Sequence, residues 1–156
     1  MRQAFIFEKV AVLVGPWHER GNPPERGARV EVRLLDDEPR RGTSSAAQRA
    51  VIDRPLFRAD LFDRLDGPTG NLRAAHFHPH FNGVEPCDRH WDDVIQRDPA
   101  GWLAAELGDL ANLVARSGFD AGDGTWLAED ADALRRARPE IVRAVEVAWS
   151  TARLEA

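Results

Sequence analysis

Four of the chain's five histidines, His76, His78, His80 and His90, fall in the run HFHPHFNGVEPCDRH between positions 76 and 90. Imidazole titrates near neutral pH, so one histidine can accept a proton while a second returns one. Neutral imidazoles joined by a carboxylate also suit zinc, iron, manganese or nickel. The single cysteine, Cys87, stands in a Cys-x-x-His spacing with His90. That spacing is ligand-like, although a structural zinc ordinarily takes two or more cysteines.

These side chains need a scaffold. Pro55 to Leu65 and Asn71 to Phe81 flank Asp66-Gly67-Pro68-Thr69-Gly70, whose glycines and proline predict a hairpin turn. Side chains alternate along a strand. Phe57, Ala59 and Leu61 therefore share one face of the first arm, and Arg58 and Asp60 the other. On the second arm Ala75, Phe77 and Phe81 oppose His76, His78 and His80. A slip of one residue would bury the wrong set, so the apolar faces fix the register. Leu61 then pairs with Ala75 and Ala59 with Phe77, which sets Asp60 opposite His76 and Arg58 opposite His78. One sheet face carries Arg58, Asp60 and three histidines.

Three chemistries fit that face. In the first, Asp60, His76 and His78 bind a divalent metal, with His80 completing the set, and support hydrolysis. In the second, no metal is needed: the histidines act as acid and base, Asp60 orients His76, and Arg58 grips a small anionic substrate. Phosphodiester cleavage, as in a ribonuclease, is the matching reaction. In the third, Cys87 and His90 join His78 or His80 around a structural zinc. Against all three stands a plain surface role, a non-catalytic binding module with solvated histidines. Pro79 inside the run favours a strand edge, where such exposure is ordinary.

The rest of the chain supplies the frame. Phe5 to Val14 reads as a strand that Gly15-Pro16 ends, and Trp17 to Gly27 as a loop, with Trp17 and His18 as anchors or pocket walls. Arg29 to Leu35 alternates as a half-buried strand. Asp36 to Ala47 reads as a loop, and Asn82-Gly83 as a second turn. Asp88 is placed to cap a short helix holding His90, Trp91, Val94 and Ile95. Asp98-Pro99 starts a helix through Trp102, Leu107, Leu110 and Val114, which Gly118 stops. Two last helical pieces span Ala128 to Leu154, divided at Pro139, with Ile141, Val142, Val145 and Trp149 on the apolar face. Trp91, Trp102 and Trp149 sit at helical spacing and read as core. Strands followed by helices predict one α+β domain over residues 1–156, an antiparallel sheet covered on one face.

Other motifs fall short. Gly67-Pro68-Thr69-Gly70 lacks the lysine of a phosphate loop. Asp120, Asp123 and Gly124 lack the regular spacing of a calcium loop. Ser44 and Ser45 have no nucleophile-elbow context.

Composition narrows the function classes. The 156 residues carry a formal net charge of -5, which argues against extended nucleic-acid binding. One cysteine permits no internal disulfide and suits a cytoplasmic, reducing setting. Glu8 and Lys9 interrupt the apolar N-terminus, so it reads as a strand rather than a signal peptide. No apolar run approaches the ~18 residues a membrane span needs. Lys9 is the only lysine among 21 basic residues, a codon bias of GC-rich bacterial genomes. Five tryptophans are many for one small core and raise the expectation of a homodimer.

Overall fold

The computed structural model describes residues 1–37 and 50–154. Its main sheet has five antiparallel strands in sequence order: β1 (Gln3–Ile6), β2 (Val10–Glu19), β3 (Glu25–Asp37), β4 (Ala50–Arg64) and β5 (His76–His78). A small hairpin follows, of β6 (Phe81–Asn82) and β7 (Glu85–Pro86). Four helices follow among the described residues: α1 (Asp93–Arg97), α2 (Pro99–Glu106), α3 (Leu110–Arg116) and α4 (Thr125–Leu154). The α+β architecture matches the sequence expectation.

Alternation explains the layers. Val10, Val12 and Val14 of β2 stand beside Val30, Val32 and Ala28 of β3, and Phe57, Ala59 and Leu61 of β4 continue the row. All are buried in one core, with α4 lying against β2 and β3. From α4 come Leu134, Ile141, Ala144, Val145, Ala148 and Ala152, spaced to share one helix face. The opposite sheet face carries Arg29, Glu31, Arg58 and Asp60.

Several boundaries differ from the sequence reading. The first strand is two, β1 and β2, because residues 7–9 turn. That turn is locked from afar: the Asp130 carboxylate on α4 accepts from the backbone N–H of Glu8 (2.8 Å), Lys9 (2.8 Å) and Val10 (3.1 Å). Strand β2 runs through Gly15-Pro16 to Glu19, and β3 starts at Glu25, so much of the expected Trp17–Gly27 loop is paired strand. Gly27 is obligatory here: a Cβ would lie 2.1 Å from the Leu61 carbonyl oxygen on β4.

The helical half departs in detail too. Asp92, not Asp88, caps α1, accepting from Val94 N–H at 2.8 Å. The helix expected from Pro99 to Val114 breaks after Leu107, and Asp109 caps a new one by accepting from Asn112 N–H (3.1 Å). Asp98 caps α2 with Pro99 behind it, as expected, and Gly118 has the positive φ (72°) of a helix stop. Pro139 does not divide α4. Both Pro139 and Arg135, whose carbonyl the missing N–H would have bonded, are exposed, so water can satisfy that oxygen. Trp102 is buried and Trp149 half-buried, but Trp91 is 55% exposed and precedes α1. Most of the expected Asp36–Ala47 loop, with Ser44 and Ser45, lies outside the described residues. Among the described residues, no helix is long and apolar enough to cross a membrane.

Candidate metal centre

The hairpin forms in the expected register. Asp60 pairs with His76, Ala59 with Phe77 and Arg58 with His78. The ladder is shorter than expected, ending before Leu61 and Ala75. Parity then turns both imidazoles to the face away from the helical core, onto Asp60.

Each imidazole is oriented by a backbone carbonyl. His76 Nδ1 lies 2.6 Å from the Ala74 oxygen, and His78 Nδ1 lies 2.6 Å from the Cys87 oxygen. A carbonyl only accepts, so each Nδ1 carries the proton. A neutral ring then presents a lone pair at Nε2. Both Nε2 atoms face one oxygen, Asp60 Oδ2, at 3.4 Å from His76 and 3.8 Å from His78. The three donor atoms lie within 4.8 Å of one another, and all three residues are buried. Donors on one tetrahedral zinc, at about 2.0–2.1 Å from it, stand about 3.3 Å apart. This cluster could hold a metal ion.

Sequence reasoning missed a fourth member, Arg29. From β3 it meets Asp60 with two bonds, Nε to Oδ1 at 2.6 Å and Nη2 to Oδ2 at 3.1 Å. The signal was present. Val30, Val32 and Leu34 must face the same core as Phe57 and Ala59, which puts Arg29 and Asp60 on one face. What was lacking was the β3–β4 register, which places them opposite each other.

Burial by itself would raise the Asp60 carboxyl. The neighbouring His76 ring and the Arg29 guanidinium outweigh it and hold the group below the ordinary carboxylate range. His78 is pushed down, chiefly because burial disfavours its charged form. The result is an ionised carboxylate beside a neutral imidazole, the protonation states a metal requires.

The other expected members sit elsewhere. Arg58 is spent on Glu31, Nε to Oε1 at 3.0 Å, and its guanidinium lies over Phe81 at 5.3 Å. It does not reach the cluster as an open anion grip. His80 is exposed beyond the end of β5, and its imidazole is not among the converging donors. His90 is not on a helix. It pairs with Phe77 through both backbone hydrogen bonds (2.9 Å each), and its ring packs on the Phe77 ring, on the face away from His78. Cys87 gives the site its carbonyl, while its thiol points to the Asp88 oxygen at 3.4 Å. The Cys87–His90 zinc arrangement is therefore not formed. Asp120 and Asp123 cap turns by accepting from Gly122 and Thr125 N–H, as turn chemistry rather than a calcium loop. Trp91, one residue past His90, packs against His76 with ring centroids 5.4 Å apart and the rings tilted by 44°, on a side chain that is itself 55% exposed.

Searches of family models, curated proteins and solved structures return no match to this chain. The functional argument rests on the site itself.

Proposed function

We propose that this protein binds one divalent transition-metal ion, zinc, iron, manganese or nickel, through Asp60, His76 and His78. One observation carries the reading: two imidazoles, each fixed by a carbonyl on Nδ1, aim Nε2 at the same carboxylate oxygen. Three electron-rich atoms facing one another form a donor set that a metal cation would bridge. Outer hydrogen bonds that fix the tautomer are the usual companions of histidine ligands. Three protein ligands leave one position for water or substrate, so metal-assisted hydrolysis of a small anionic substrate is the activity we assign. The burial of the cluster requires the segment carrying Trp91 to open for turnover.

A metal-free reading has one observation in its favour: Arg29 already neutralises Asp60 with two bonds. In that case His76 and His78 would serve as an acid–base pair, as in a ribonuclease-like phosphodiesterase. Arg58 offers that chemistry little, being committed to Glu31.

Elemental analysis of untagged protein, with thermal unfolding before and after chelator, separates the two. An ion at ~100 times its Kd adds about 2.7 kcal/mol. At this chain length that is roughly 5–10 °C in Tm. One equivalent of metal and a chelator-induced drop of that size support the metal centre, and both should vanish in His76→Ala. Metal-poor protein with an unchanged Tm sinks it.

A further inference from the structure

A second site lies on the same sheet face, across Arg29 from the histidines. It is an open pocket of about 190 Å³ between β1, β2 and β3. It has room for a small organic acid.

Its walls are chemically uneven. Arg2 and Arg29 converge on the Trp17 ring, with guanidinium carbons 5.6 and 3.8 Å from its centroid. Arg29 has already given Nε and Nη2 to Asp60, and no described residue accepts from its Nη1. Arg2 has no carboxylate partner among the described residues. The nearby acid, Glu31, does not cancel it, because Arg33 (2.9 Å) and Arg58 (3.0 Å) hold both Glu31 oxygens. Gly15 makes the arrangement sterically feasible: a Cβ there would stand 2.7 Å from Arg2 Cγ. The remaining wall is apolar, from Ala4, Leu13 and Pro16.

We propose that this pocket binds a small monocarboxylic acid. Its carboxylate would be held between Arg2 and Arg29, and its apolar body would lie against Leu13 and Trp17. The uncompensated cation specifies an oxyanion, and the apolar wall specifies a carboxylate with a hydrocarbon body over inorganic phosphate. Nothing in the proposal requires a metal at Asp60.

The test is an amide NMR titration of the ¹⁵N-labelled full chain at constant ionic strength, with sodium benzoate as probe and inorganic phosphate as the contrast. Benzoate should shift the Gly15 amide and the Trp17 indole N–H saturably, with a Kd of about 1 mM or tighter. Phosphate should bind about tenfold more weakly, having no body to bury. Arg2→Gln, on an exposed side chain outside the core, should weaken benzoate about tenfold by removing a charge-assisted bond. Its remaining amide spectrum should be unchanged. No saturable shift at Gly15 and Trp17 would overturn the proposal. So would benzoate binding that is equal in Arg2→Gln, or phosphate binding as tight as benzoate.

Discussion

Asp60 shows how one buried carboxylate governs its neighbours. It is 2% exposed, and Arg29 meets both its oxygens. Arg29→Ala would leave that charge buried without its main partner, a change that costs about 3–5 kcal/mol when buried pairs are broken. Urea unfolding should show it, and Arg29→Lys should recover only part, since an ammonium cannot make the paired bonds. The His78 shift sets a pH dependence. Below about pH 6.5 the unfolded chain takes up a proton that buried His78 resists. Stability from this group is therefore present above that pH and is lost as the pH falls toward the depressed folded value. Asp60 adds the same sign at lower pH, where the unfolded carboxylate protonates near 3.9 and the folded one does not. The denaturation midpoint should decline from pH 7 to 5, and His78→Gln should flatten that decline. A midpoint rising over this interval would contradict the assignment. The facing of Asp60 and His76 was legible in the sequence, because apolar parity on two arms and a turn between them left one register. Arg29 was not, because its partner strand is distant along the chain and no short turn ties the two.

The elements are held by polar locks that periodicity does not reveal. Asp130 accepts three backbone N–H groups of the β1–β2 turn from the middle of α4. Asp63 on β4 does the same for the loop before β5, accepting from Gly70 (2.7 Å) and Leu72 (3.0 Å) N–H, with Arg153 of α4 at 3.3 Å. Leu72 takes an unusual positive φ of 47° in that loop. Asp130→Ala should cost about 3 kcal/mol, since Val10 N–H would stay buried without an acceptor. Chemical denaturation measures it, and a loss under ~0.5 kcal/mol would show that the turn holds without the lock. At Gly27 the constraint is steric. Gly27→Ala places a methyl group against β4 backbone, which cannot swing aside, and should cost about 1–3 kcal/mol or more.

For the molecule as a whole, α4 is the keel of the core. Ile141 is fully buried between α4 and the sheet, and Ile141→Ala should cost about 2–5 kcal/mol. Four of the five tryptophans are at least partly covered within the chain, and one is not. Trp102 is core, Trp126 and Trp149 are half-buried, Trp17 stacks with arginines, and Trp91 alone is exposed. By itself the sequence determined the class of fold, the two faces of the hairpin, and the meeting of Asp60 with His76 and His78. Each follows from alternation and turns, which act over a few residues. The tertiary structure alone decided which carbonyls orient the imidazoles, that Arg29 closes the site, and that Arg58, His80 and His90 stand apart from it. Those outcomes depend on contacts between segments tens of residues apart, where small errors in register or strand end send a side chain to a different neighbour.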